Sequence, residues 1–110
     1  MHREIGLADA AELFKVLGSE SRLWLLRLLG GQPMTVGALA EATGMSQPLV
    51  SQHLRTLRQG GLVTAARSGK EVTYRVTDQH VTHMIADALA HVLEPTVDEI
   101  DTEPSREETT

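Results

Sequence analysis

The most informative part of the chain is residues 35–76, which read TVGALAEATGMSQPLVSQHLRTLRQGGLVTAARSGKEVTYRV. Thr35 is a good N-cap for a short helix, and Gly44 supplies the turn that ends it. Ser46 can cap a longer helix over residues 47–59, which stops at a pair of glycines. A short helix, a glycine turn and a longer helix are typical of a helix-turn-helix.

Two β-prone segments follow the longer helix, at residues 62–67 and 71–76. The Ser-Gly-Lys stretch between them is typical of a hairpin turn. We therefore expect a two-stranded β-wing directly after the helix-turn-helix.

Three further helices are predicted outside this segment. Residues 7–17 place apolar side chains at i, i+3, i+4 and i+7, and residues 22–29 are apolar around most of the circumference, which favours a place in the core. Ser19 and Ser21 are both suitable caps for this second helix. The helical period returns over residues 79–93. The expected fold is mostly α, a winged helix-turn-helix of five helices that dimerises through its terminal helices.

The 110-residue chain has a net charge of −5, which is unevenly distributed. Residues 1–77 hold nine Lys and Arg against six Asp and Glu, whereas residues 78–110 hold one against nine. Within residues 44–77 five basic residues stand against one acid, which is the local charge that a phosphate backbone requires. We expect one domain over residues 1–94 and an acidic, disordered tail over residues 95–110.

The composition also excludes several classes of protein. Cysteine is absent, so disulfides and thiolate metal sites are excluded, and His, Asp and Glu are the only strong metal ligands. No apolar run approaches the roughly 18 residues of a membrane helix, and the N-terminal residues lack a secretory core, which predicts a cytoplasmic protein without a membrane partner. We expect no enzyme and no small organic substrate, because nucleophile motifs and glycine-rich phosphate loops are missing.

The longer helix of the helix-turn-helix carries side chains that can read base edges. Val50, Leu54 and Leu57 form the stripe that docks on the domain, and polar residues occupy its other faces. Gln bonds adenine and Arg bonds guanine bidentately, whereas basic residues of a wing suit the DNA backbone or minor groove. The residues predicted to bind DNA are Ser46, Gln47, Ser51, Gln52, Arg55, Arg67, Lys70 and Arg75.

Residues 45–63 and 67–76 resemble the ArsR/SmtB family of bacterial metal-responsive repressors, and the resemblance extends over residues 8–94. The S-x-H-L-x-x-L signature of the family stands here as Ser51-Gln-His-Leu-Arg-Thr-Leu57. The resemblance implies a homodimer that binds an inverted-repeat operator and leaves it when an inducer binds. We interpret the histidine of this signature, His53, as structural and leave it out of the metal site.

A separate set of polar side chains lies on the last predicted helix. His80 and His91 are eleven residues apart, so they share a helix face but lie about 16 Å apart along the axis. One helix cannot place both on one ion, because metal ligands lie about 2 Å from it. Two copies that cross antiparallel near residues 85–86 solve this, because His80 then faces the partner's His91. Asp78 falls beside the partner's Glu94 in the same arrangement.

The predicted metal ligands are Asp78 and His80 from one chain with His91 and Glu94 from the other, two sites per dimer. Two imidazoles and two carboxylates suit tetrahedral zinc. The spacing also matches the helix-five site of zinc sensors in the ArsR/SmtB family, whereas the Cys-x-Cys motif of thiolate sensors is missing from residues 36–40. The resemblance therefore implies a repressor that binds DNA in the apo form and is released by zinc.

Two alternatives stay open. Nickel or cobalt is one, because family members that prefer six ligands add histidines from their termini, and His2 is available here. A winged-helix repressor without a metal response is the other, in which the last helix simply has a polar face. The roles of His83 and Asp87 on that face are also open.

Overall fold

The computed structural model describes residues 4–95, and this range contains five helices and one three-stranded sheet. The five predicted helices and the hairpin are confirmed. The predicted tail, apart from Pro95, and His2 lie outside the described residues. The elements in chain order are α1 (Leu7–Leu17), α2 (Glu20–Gly31), β1 (Met34–Thr35), α3 (Val36–Thr43), α4 (Gln47–Gln59), β2 (Val63–Ser68), β3 (Glu71–Val76) and α5 (Gln79–Leu93).

Hydroxyl caps set the start of three helices. The side-chain oxygens of Ser19, Thr35 and Ser46 each accept a hydrogen bond from the backbone N–H three residues further on, at 3.1 to 3.3 Å. Of the two serines suited to cap α2, Ser19 is therefore the one used. The turn between α3 and α4 passes through Gly44 at φ +78°, a conformation that favours glycine.

The core is built from apolar side chains of the helices and of the start of β2. On α4 the predicted stripe of Val50, Leu54 and Leu57 is at most 1% exposed, so this helix has a fixed orientation on the domain. On α2 the prediction of a core position holds for one face, whereas Trp24 remains 46% exposed. The buried core residues are Leu17, Leu25, Leu26, Leu29, Leu39, Val50, Leu54, Leu57, Leu62, Val63, Val81 and Ile85.

The sheet has one more strand than the predicted hairpin. The two residues of β1 pair antiparallel with β3, which places Met34 opposite Tyr74 and Thr35 opposite Thr73. The strand order is β1-β3-β2. A two-residue strand has too few positions to show an alternating pattern, so sequence reasoning missed it.

Direct partners in the β2–β3 hairpin share a face of the sheet. Tyr74 lies opposite Ala65, on the same face as buried Val63, and Arg67 follows on this face towards the hairpin tip. Arg75 lies opposite Thr64 and so belongs to the other face. The two arginines predicted to bind DNA from the wing therefore point to opposite sides of the sheet.

The apolar faces predicted for α1 and α5 are only partly covered within one chain. On α1, Leu17 is buried but Phe14 is 61% exposed; on α5, Ile85 is buried but Val92 is 70% exposed. Phe14 lines a concavity of about 290 Å³ between α1 and α5, whereas Val92 lines a separate one beside α2. The surface between α1 and α5, called the α1–α5 face below, includes Phe14, Leu17, Met84, Ile85 and Ala88.

Candidate nucleic-acid interface and metal ligands

The structure leaves the polar side chains of α4 accessible. Gln47, Gln52 and Arg55 are exposed, and Ser51 is half-buried. Ser46 has a local role as well, because its hydroxyl caps α4. A helix that is anchored by an apolar stripe and exposes Gln and Arg has the chemistry needed in a major groove.

A concavity of about 520 Å³ lies between α4 and β3, and we call it the α4–β3 cleft. It is lined by Ser51, Arg55, Arg58, Gln59 and Tyr74. Two guanidinium groups together with hydroxyl and amide donors suit an anion such as a phosphate. Gln59 and Tyr74 lie outside the predicted set. Tyr74 in particular is brought to α4 only by the tertiary packing of β3.

The remaining predicted DNA ligands separate into two places. Arg67 and Lys70 are exposed near the hairpin tip, and Arg67 lies on the sheet face that carries Tyr74. Arg75 instead lines a concavity of about 440 Å³ at the start of α5, together with Asp78 and His83. The structure thus places Arg75 beside a predicted metal ligand and not beside α4, and its contact with DNA stays a prediction.

Asp78 and His80 lie together at the start of α5. Oδ1 of Asp78 is 3.5 Å from Nδ1 of His80, and it accepts hydrogen bonds from the backbone N–H of His80 at 2.9 Å and of Val81 at 3.3 Å. The side chains of Asp78 and His80 are 51% and 96% exposed. The Asp78 carboxylate and the His80 imidazole therefore lie side by side, and both are open to a second chain.

His91 and Glu94 are exposed near the other end of α5, which has 15 residues. The two ends of such a helix are about 20 Å apart. Within residues 4–95 no group of three or more His, Cys, Asp or Glu side chains is placed to hold a metal ion. A site with all four predicted ligands therefore requires a second chain. His83 and Asp87 are also exposed on α5.

His53 lies at the junction of three helices rather than with the predicted ligands. Burial lowers the pKa of His53 below its usual value, and the nearby Arg22 guanidinium lowers it further. Nε of Arg22 donates a hydrogen bond to the carbonyl of Val16 at 2.7 Å, which joins α2 to the end of α1. This environment favours a structural role for His53.

The arrangement of α3, α4 and the β2–β3 hairpin, with Gln and Arg exposed on the second helix, defines a winged helix-turn-helix DNA-binding protein. Residues 19–65 match the family model of bacterial regulatory proteins of the arsR family. The chain belongs to this family. In the part of the chain that the structure describes, no helix is both long and apolar enough to cross a bilayer.

Two relatives and one solved structure illustrate the similarity. The HTH-type transcriptional repressor SmtB of Mycobacterium tuberculosis is 42% identical over 95 residues, which cover 86% of this chain and 70% of the relative. The HTH-type transcriptional regulator NmtR of Mycobacterium tuberculosis is 40% identical over 84 residues, or 76% of this chain and 70% of the relative. The homodimeric winged helix-turn-helix domain of Mb0332 from Mycobacterium bovis matches with a TM-score of 0.78 and 30% identity, over 91% of this chain and 95% of that one.

These similarities agree with the expectation of a DNA-binding regulator that is not an enzyme. The protein is a transcriptional repressor of the ArsR/SmtB family, and its partner is double-stranded DNA.

Proposed function

We propose that the protein is a cytoplasmic, zinc-responsive repressor. It binds operator DNA as an apo homodimer and releases the DNA when zinc joins the two fifth helices, with two zinc ions per dimer. The observation that carries the proposal is the exposed pair of ligands at one end of α5, where Oδ1 of Asp78 is 3.5 Å from Nδ1 of His80. The complementary pair of ligands, His91 and Glu94, is exposed at the other end.

The α1–α5 face supports the homodimer. Phe14 of this face is largely exposed in the single chain, and so is Val92 further along α5, although their helices also carry core residues. Exposed apolar surface of this kind is stabilised by association with a second copy. The similar domain from Mycobacterium bovis is homodimeric. In an antiparallel pair of α5 helices, both metal sites would be completed by the partner.

The residues present fit a zinc ion. Asp78 and His80 would hold it together with the partner's His91 and the partner's Glu94, and zinc would supply a four-coordinate link between the chains. Asp78 can remain the cap of α5 while it binds metal, because a carboxylate has two oxygens. Exposed carboxylates and imidazoles at an interface also need a cation to offset their desolvation.

DNA would lie along the exposed side of α4 and the wing. In this arrangement Gln52 and Arg55 reach base edges, while the α4–β3 cleft holds a backbone phosphate through Arg58 and Tyr74. Arg67 and Lys70 at the hairpin tip add contacts to the backbone or the minor groove. The base contacts determine sequence preference, and the phosphate contacts determine position and salt dependence.

Regulation follows from thermodynamic linkage between the two sites. Zinc releases the operator only if it binds the free dimer more tightly than the DNA-bound dimer, and DNA then weakens zinc binding by the same factor. Operator release is therefore tested by titrating the complex of the full chain and DNA from upstream of its own gene with zinc, cobalt, nickel and a chelator. An unchanged zinc affinity in the presence of operator DNA would rule the proposal out.

Mixed dimers test whether the site is shared between chains. His80→Ala and His91→Ala homodimers have no intact site, so they should bind DNA without responding to zinc. A mixed dimer of the two variants should recover one zinc ion per dimer, because His80 of one chain meets the partner's His91. No recovery in the mixed dimer would contradict a shared site.

Cobalt or nickel is the alternative inducer. It is favoured by the exposure of His83 and Asp87 on α5, which could raise the number of ligands towards six. The metal titration separates the alternatives, since the inducing metal is the one that releases DNA at the lowest free concentration. A repressor without a metal response would keep its DNA in all of these titrations.

A further inference from the structure

Thr77 ties the junction between β3 and α5 to the end of α4. Its Oγ1 donates a hydrogen bond to the carbonyl of Gly61 at 2.8 Å, and its backbone N–H donates to the carbonyl of Leu62 at 3.0 Å. Gly61 and Leu62 come directly after α4, and Thr77 directly precedes Asp78. Two hydrogen bonds therefore join the proposed metal site to the helix that would read DNA.

The Gly61 peptide belongs to the termination of α4. Its N–H donates to the carbonyl of Arg58 at 3.0 Å, and the next N–H, of Leu62, donates to the carbonyl of Leu57 at 2.9 Å. Gly61 has φ +75°, a conformation that favours glycine. The acceptor of the Thr77 hydroxyl is thus attached to the turn of α4 that carries Arg58 of the α4–β3 cleft.

On the other side of the junction, Asp78 is fixed to the first turn of α5. Its Oδ1 accepts the N–H groups of His80 and Val81. A displacement of Asp78 and His80 towards a metal ion therefore moves the first turn of α5 as a unit, together with the preceding residue, Thr77. The helices α4 and α5 pack mainly on other elements, since α5 packs on α2 and β3 and α4 packs on α2, α3 and β2.

We propose that Thr77 is a positioning residue that transmits metal binding from α5 to α4. Its hydroxyl makes the position of Asp78 and the position of the last turn of α4 depend on each other. The inference rests on the proposed zinc response and adds the route by which that response reaches the DNA. Thr77 itself is neither one of the proposed metal ligands nor one of the residues predicted to bind DNA.

Thr77→Val tests the inference, because valine keeps the β-branched shape and the backbone N–H but removes the hydroxyl donor. We expect the apo operator affinity and the zinc affinity of the free dimer each to stay within about twofold of the original protein. The ratio of operator affinities without and with saturating zinc should fall about fivefold, the value of one neutral hydrogen bond. Ser21→Ala, which removes a hydroxyl from α2 outside both proposed binding sites, is the control and should keep the original ratio.

Thr77→Ser restores the hydroxyl and should recover most of the original ratio. An unchanged ratio in Thr77→Val, or an equal loss in Thr77→Ser and Thr77→Val, overturns the inference while the zinc response itself stands. If the unaltered protein does not release DNA with any metal, the proposed function fails first, and the inference fails with it. Both affinities are measured by fluorescence anisotropy and calorimetry on the full-length dimer.

Discussion

The helices α4 and α5 both expose a polar face, but they differ in how completely one chain supports them. On α4 the whole apolar stripe is at most 1% exposed, and β3 completes the adjoining cleft from the same chain. On α5 only the first half is well buried, Val92 and Leu93 are 70% and 77% exposed, and the predicted ligands lie at opposite ends. The helix proposed to read DNA is therefore supported within one chain, whereas the proposed metal site requires a second chain.

This difference has a functional consequence. A helix held by its own core presents its side chains in a defined arrangement without help from a second chain, as base recognition requires. A helix that depends on a second chain can change its position when an ion joins the two copies. Variants of the two helices and of their surroundings can test whether α4 is supported within one chain and α5 by a second chain.

The largest effect is expected for Phe14→Glu on the α1–α5 face. Phe14 is 61% exposed, so the variant chain should fold, but a charge in an apolar interface opposes association. We expect a monomer and a loss of operator affinity of about a thousandfold, because only one half-site remains bound. Sedimentation velocity and fluorescence anisotropy measure the two effects.

Gln32→Glu adds the same charge at an exposed position after α2 and should leave both the dimer and the affinity intact. If the Phe14→Glu protein stays dimeric, the two chains do not associate through the α1–α5 face.

Leu54→Ala tests whether α4 is supported by its own core. Leu54 is 1% exposed, so the change leaves a cavity and should lower the free energy of unfolding by about 3 kcal/mol. Urea denaturation at fixed protein concentration measures it. Leu49→Ala on the same helix, at a position that is 39% exposed, should cost less than about 1 kcal/mol. If the two variants lower the free energy of unfolding equally, α4 is not supported mainly by its buried stripe.

Arg58→Ala probes the α4–β3 cleft. Each chain of the dimer loses one phosphate contact, so the slope of log affinity against log salt concentration should become less negative by about 1.8, which is about 0.9 per contact. The operator affinity is measured between low and physiological salt. Arg27→Ala, on α2, removes the same charge from an exposed position away from the cleft and should keep the original slope. The phosphate assignment is wrong if the two variants have the same slope.

The smallest effect is expected for His53→Gln. Because burial and Arg22 lower the pKa of His53 in the folded chain, the unfolded chain binds more protons below about pH 6.5. The free energy of unfolding should therefore decrease as the pH falls below about 6.5, and His53→Gln should flatten this dependence in metal-free protein. At pH 8 the histidine is neutral in both states, so measurements there are the internal control. Parallel pH profiles would refute the prediction.

Much of the fold is predictable because its signals are local. The caps at Thr35 and Ser46, the turn at Gly44 and the apolar stripe of α4 act within a few residues, and the structure has them as expected. The strand β1 is different, because two residues acquire their extended pairing only from contact with Tyr74 and Thr73. Tyr74 was likewise outside the predicted site, because nothing local to it indicates that it faces α4.

The helix-turn-helix, the separation of basic and acidic regions and the eleven-residue spacing of His80 and His91 can all be read from the amino-acid order. These follow from helical periodicity, residue charge and the rise per residue, which need no knowledge of distant contacts. The folded chain was needed to find that Arg75 and Asp78 line one concavity, that Tyr74 lines the α4–β3 cleft and that Thr77 bonds to Gly61. Those contacts join separate elements of the chain, and their geometry is fixed by the packing of the shared core.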